Sequence, residues 1–280
     1  MYRKFSNIPY TTLGEAGPAL DIYLPEEGEG PFPVVVYFHG GSYTRGDKSE
    51  PERLAYALPM LKGGYAVASL NYSLAPATKF PSPVVEGKAA VRFLRAHAAT
   101  FSLDPEHFIA CGASAGGYYA ALLATTMGCA EFDDLSLGYP NEAEDVQAAV
   151  IFFGVLNLTS MDRQFTESGI VRGYPCVASP DSPEFKLFGV TIGEAPELYK
   201  KASPTLLVNA DTPPMILFHG TDDVIVPPAQ SVEMAEALSA AIGRDKVALH
   251  LVPGAGHTDV KFTEYQYFGE IFAFLAQNLY

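Results

Sequence analysis

"FIACGASAGGYYAALLA", running from Phe108 to Ala124, is the stretch whose reading decides the fold. Up to Ala113 it is a short apolar run and reads as a buried strand. From Ala115 onward it is small and apolar and reads as a helix. Between the two lies Gly112-Ala113-Ser114-Ala115-Gly116, a corner where small neighbours let strand and helix approach closely. Such a corner holds Ser114 Oγ at the C-terminal edge of a sheet. It also puts the N–H of Ala115 at a helix start, where partial positive charge suits a developing oxyanion. A plain structural turn has the same letters, so reading Ser114 as a nucleophile requires a base, an acid and an anion site elsewhere in the chain.

Working outward, "FPVVVYFHGG" (32–41) and "YAVASLNY" (65–72) are continuous apolar runs of the kind that buried parallel strands show. "VQAAVIFFG" (146–154), "PMILFHG" (214–220) and "VALHLVPG" (247–254) add three more strands, and "ALDIYLP" (19–25) alternates like an edge strand. Helical spacing appears over 84–99, 228–242 and roughly 260–278. Strands alternating with helices predict an α/β fold, a mainly parallel sheet with helices on both faces. We read one domain over 1–280. The stretch 157–213, rich in Pro, Gly, Ser and aromatics, is expected to be a lid or cap-like excursion over the strand ends. Within it, "SPEFKLFG" (182–189) is expected to be a helical turn packing Leu187 and Phe188 on the body.

The bulk numbers narrow the function classes. Of 280 residues, 48% are hydrophobic and 12% aromatic, enough for a large core, and the formal charge is −14 with no basic cluster. That argues against nucleic acid and anionic membrane surfaces as partners. Cys111, Cys129 and Cys176 are sparse, odd in number and without CxxC spacing, which fits a reducing compartment. The N-terminal stretch lacks a signal-peptide apolar region and no run is long enough to span a bilayer, so a cytoplasmic protein is expected. The sequence is compatible with a homo-oligomer and does not set the oligomeric state.

Among the six histidines, His257 in "VPGAGHTD" stands out as the base. It follows a strand, in a glycine-rich loop that can carry an imidazole across the strand ends. His97, His107 and His250 read as solvated or satisfied side chains, and His39 and His219 as residues that shape loops. "HGTDDVIVP" (219–227) offers Asp222 or Asp223 as the acid, again directly after a strand. The order Ser, Asp, His on three separate loops is much harder to obtain by chance than one pentapeptide. "FHGGSY" (38–43) supplies the anion site, with the N–H groups of Gly41 and Ser42 joining Ala115. Tyr43 and Tyr118 flank these loops and are candidate pocket residues; for Tyr118 and its neighbour Tyr119 ordinary helix packing is an equal reading.

Taken in order, "HGGSY", "NYSLAPATKFPSPVVEGKAAVRFLR", "GASAGG", "SPEFKLFG", "HGTDDVIVP" and "GAGH" resemble an α/β-hydrolase esterase, close to the hormone-sensitive-lipase-like esterases and closer to the bacterial acetylxylan and feruloyl esterase-like group. The resemblance runs over roughly 18–280. It implies an α/β-hydrolase fold and hydrolysis of short acyl esters, including acetylated sugars, with a small-molecule ester as partner and no cofactor or metal. It also selects Asp223, which falls on the Asp of an HG-x-x-D-x-x-V-P pattern. Two departures concern the lipase-like branch: Ala113 stands where that branch has Asp, and Ser42 where it has a third Gly. Rival readings are a peptidase on the same fold and a ligand-binding protein without turnover; the latter would be expected to lack a member of the Ser–Asp–His set.

Overall fold

The computed structural model describes residues 2–279; Met1 and Tyr280, the end residues of the expected 1–280 domain, lie outside them. Among the described residues eight strands form one sheet: β1 (Arg3–Pro9), β2 (Ala19–Leu24), β3 (Phe32–Phe38), β4 (Ala66–Leu70), β5 (Leu103–Ala113), β6 (Ala148–Phe152), β7 (Met215–Gly220) and β8 (Val247–Val252). Their order is β1-β2-β4-β3-β5-β6-β7-β8. β2 runs antiparallel to both neighbours, and the pairings from β4 through β8 are parallel.

The helices are α1 (Pro51–Leu54), α2 (Ser82–Ala96), α3 (Ala98–Phe101), α4 (Ala115–Thr125), α5 (Met161–Ser168), α6 (Pro183–Phe188), α7 (Pro196–Lys201), α8 (Pro204–Leu207), α9 (Ala229–Ile242) and α10 (Tyr265–Asn278). Both sheet faces are covered, which is why the central strands are apolar without alternation. On one face Val34, Val36 and Phe38 of β3 share a core with Val91 of α2, Leu122 of α4 and Met234 of α9. On the other, Val35 and Tyr37 pack with Leu54 of α1 and with Ile271 and Leu275 of α10. Every residue of α4 is buried, as its apolar character all round requires.

The expected edge position of 19–25 is corrected. β2 lies inside the sheet between β1 and β4, with Leu20 to Leu24 all buried. The edge is β1, "RKFSNIP", whose exposed, mostly polar side chains carry no apolar stripe to signal a strand. Pairing with β2, rather than burial, defines it.

Within 157–213 lie α5 to α8, and Phe165, Val177, Leu187 and Tyr199 from this stretch join the core beside α4 and α9. α6 is the helical turn expected from "SPEFKLFG". The Ser182 hydroxyl caps it by accepting from the Phe185 N–H at 2.9 Å, and Leu187 and Phe188 are buried. Gln230 of α9 ties the start of the stretch to the body: its Oε1 accepts from the N–H groups of Leu156 and Asn157 at 2.8 and 2.7 Å. No helix among the described residues is long and apolar enough to cross a membrane.

The register places the loops that matter. Phe38 pairs with Gly112, Ala113 with Phe152, Phe152 with Phe218, and Gly220 with Val252. The chain therefore leaves β3, β5, β7 and β8 at one edge of the sheet.

Candidate active site

Ser114 sits at the turn from β5 into α4 with φ 55° and ψ −122°, a region that costs a non-glycine residue about 1–3 kcal/mol. Two backbone hydrogen bonds hold it there: its N–H donates to Phe152 O at 2.9 Å, and its carbonyl accepts from the Tyr118 N–H at 3.0 Å. Gly116 permits the turn, since a Cβ there would lie 2.0 Å from Phe38 O. Ala115 opens the helix, where its N–H has no intrahelical acceptor.

His257, on the loop after β8, places Nε2 2.9 Å from Ser114 Oγ and Nδ1 2.7 Å from Asp223 Oδ2. A carboxylate only accepts, so Nδ1 carries the proton and Nε2 is left to accept from the serine hydroxyl. Asp223 is fully buried, and its other oxygen accepts from the N–H groups of Ile225 and Val226 at 2.8 and 2.9 Å. Burial alone would raise its carboxyl, but the hydrogen bonds to His219 and His257 hold it well below the usual carboxylate range. Asp222 faces solvent and accepts from its neighbour Thr221 at 2.9 Å.

His219, also fully buried, bridges the acid loop to α9. Nε2 lies 2.9 Å from Val226 O and Nδ1 2.7 Å from Ser231 Oγ. His39 is buried under the loop after β3, its carbonyl accepting from Tyr72 Oη at 2.5 Å. His97 caps its own turn on Phe93 O at 2.8 Å, His107 contacts Asp104 at 2.8 Å, and His250 stacks on Phe218.

The loop after β3 curls tightly. Gly41 has φ 141°, and a Cβ there would meet Arg45 O at 1.8 Å. Its carbonyl accepts from the N–H groups of Thr44 and Arg45 at 3.1 and 3.2 Å, while Arg53 holds Gly40 O at 2.7 Å. With these carbonyls engaged in the body, Gly41 and Ser42 border the same cleft as Ser114.

Two clefts of unequal size meet at Ser114. The larger, about 440 Å³, is lined by His257, Arg45, Arg53, Tyr37 and Tyr56 among others. The smaller, about 30 Å³, is lined by Tyr43, Ala115, Met161, Tyr174 and Glu184 and lacks His257. Ser42 and Tyr174 border both. Of the sequence candidates, Tyr43 reaches the small cleft, whereas Tyr118 lies one layer behind it, edge-on with ring centroids 5.6 Å apart.

Glu184 was not singled out in the sequence. It is 4% exposed, on α6, and burial pushes its carboxyl up to about 7 despite its own backbone N–H, Arg172 and Ser182, with Asp162 adding to the rise. Nothing in "SPEFK" separates such a residue from an ordinary acid in a helix's first turn; only packing does.

A sheet of this order, with a strained serine turn after its fifth strand and a histidine loop after its last, is the α/β-hydrolase fold. The chain belongs to the BD-FAE family, whose model matches residues 20–238. It is 31% identical to the esterase LipQ of Mycobacterium tuberculosis over 90% of this chain and 56% of that protein. The chain spans about half the length of the curated relatives it matches. A truncated form of a carbohydrate esterase from gut microbiota superposes with a TM-score of 0.85 at 28% identity, over 99% of this chain and 96% of that one. The bifunctional GH43-CE protein of Bacteroides eggerthii superposes with a TM-score of 0.84, also at 28%, over 99% of this chain and 35% of that one.

Proposed function

We propose that the protein is a serine carboxylesterase that hydrolyses short acyl esters of carbohydrate-like alcohols through an acyl-enzyme. The observation that carries this reading is the unbroken Ser114–His257–Asp223 hydrogen-bond chain, at 2.9 and 2.7 Å, standing where two clefts meet. Ser114 Oγ attacks the ester carbonyl as His257 Nε2 takes its proton, and Asp223 holds the imidazole tautomer and the imidazolium that forms. The N–H groups of Gly41, Ser42 and Ala115 receive the oxyanion; losing one such donor typically costs about 2.7–4 kcal/mol of transition-state stabilisation. His257 then protonates the leaving oxygen, and a water activated by the same imidazole attacks the acyl-enzyme to release the acid.

His257 lines only the larger cleft, so the alcohol half belongs there, and the acyl half belongs in the small one. Aromatic rings beside arginines suit a hydroxylated ring on the alcohol side, in keeping with the carbohydrate esterases the fold superposes on. We place 157–213 as the cap-like part of the domain, since Met161, Tyr174 and Glu184 come from it. Three unpaired cysteines fit a cytoplasmic setting.

The test is turnover of p-nitrophenyl esters from acetyl to decanoyl, with fluorophosphonate labelling mapped by mass spectrometry. Acetyl to butyryl esters are expected to be best, with label on Ser114 and turnover lost in Ser114→Ala. Each methylene that finds apolar room adds about 0.8 kcal/mol. A kcat/KM still rising beyond octanoyl, or label on another serine, would overturn the reading.

A further inference from the structure

The small cleft that takes the acyl group is apolar on several sides, through Val155, Met161 and Ile225, yet it carries a polar patch. Glu184 lines it while 4% exposed. The nearest cation, Arg172, is committed to Asp162 at 2.6 Å, and no ion pair reaches Glu184 among the described residues. Tyr43 lines the same cleft at 2% exposure, and its hydroxyl finds no hydrogen-bond partner among the described residues; nor does that of Tyr118 behind it. α6 is held in place by its Ser182 cap and by Leu187 and Phe188 in the core, which keeps position 184 on the buried side of the helix.

An all-hydrocarbon acyl group would press on this carboxyl and phenol, leaving the phenol unpaired and the carboxyl with no more than Ser182 and its own N–H, which buried polar groups resist. A hydroxyl satisfies both, donating to the carboxyl oxygen and accepting from the phenol O–H. An ammonium has no lone pair for the phenol to donate to.

We propose that the acyl pocket is built for a short acyl group bearing a hydroxyl, and that Glu184 and Tyr43 are the residues that recognise it. The proposal rests on the esterase reading above and deepens it. Glu184 and Tyr43 act on the substrate's acyl half and take no part in the proton transfers at Ser114.

The experiment compares isosteric methyl esters that exchange OH for CH₃, followed by pH-stat and normalised to their alkaline hydrolysis rates. The pairs are 2-hydroxypropanoyl against 2-methylpropanoyl, and 3-hydroxybutanoyl against 3-methylbutanoyl. Active enzyme is counted by fluorophosphonate titration. In the wild type, kcat/KM is expected to favour the hydroxyl member of at least one pair by about tenfold or more. That ratio should fall towards one in Glu184→Met and fall measurably in Tyr43→Phe, which removes a single oxygen and keeps the core filled. Turnover of the apolar esters with both ratios at or below one, or a ratio unchanged in either variant, overturns this assignment alone. Failure to hydrolyse any ester, acetyl included, overturns it together with the esterase reading.

Discussion

Replacing Glu184 with Gln should change how stability depends on pH, by an amount that follows from its burial. Its carboxyl is raised from an ordinary 4.5 to about 7 in the folded chain. The folded protein therefore holds this proton more tightly than the unfolded chain does. Stability from this group is present in full below its unfolded value and is lost as pH rises through its folded one. At about 1.36 kcal/mol for each pKa step, the whole effect is about 3 kcal/mol, most of which is lost between about pH 5 and about pH 8. Glutamine keeps the shape and cannot ionise. The difference in unfolding free energy, Glu184→Gln minus wild type, should therefore grow by about 2–3 kcal/mol over that interval, other titrations cancelling between the two proteins. Urea unfolding at four pH values measures it directly, and thermal melts should register it as roughly 5–10 °C. Parallel stability curves for the two proteins would refute the reasoning, because Glu184 would then titrate alike in the folded and unfolded chains.

Two further outcomes concern the loops around Ser114. Asp223→Asn should lower kcat by as much as about 10⁴, because the wrong imidazole tautomer is then favoured, while Asp222→Asn, at an exposed carboxylate that accepts from its neighbour Thr221, should stay within about tenfold; steady-state kinetics on a short p-nitrophenyl ester decides, and the reverse order would move the acid to Asp222. Ser114→Gly should be more stable than Ser114→Ala by about 1–2 kcal/mol, since glycine relieves the positive φ that alanine retains; equal unfolding midpoints would show that the turn stores no strain.

How much could be read from the letters follows from what each residue must satisfy locally. The strands from β3 to β7 are buried on both faces along their central residues, so those stretches are forced to be largely apolar and announce themselves, whereas the first half of β5, Asp104 to His107, is polar and partly exposed. β1 gains its place by pairing with β2, a non-local event that its exposed side chains do not record. Within 157–213 the helices α6 to α8 have four to six residues each, too short to develop a helical period, although the proline at each first position marks where they begin. The interior position of β2 could not be read either, because its neighbour on the outer side is the strand that left no signal.

The site residues divide along the same line. Ser114, Asp223 and His257 each follow the end of a strand, and a glycine-bearing loop after a strand is a local pattern visible in one dimension. The choice of Asp223 over Asp222 needed the spacing of a whole motif, because adjacent carboxylates carry the same chemistry until one of them is buried. The small cleft is different in kind. Its walls come from the loop after β3 (Tyr43), the start of α5 (Met161), the following loop (Tyr174) and α6 (Glu184), four separate places in the chain that tertiary contacts bring together. Glu184 sits one residue after the Pro at the first position of α6, where an acid is ordinarily a solvated partner of the helix dipole. What turns it into a pocket residue is that it shares a helix face with Leu187 and Phe188, three and four positions on, whose burial carries it inward while Lys186 stays exposed. An acid lining the small cleft beside Ser114 is thus a property of tertiary packing, and the hydroxyl selectivity proposed for it is the part of the reading that only a structure could suggest.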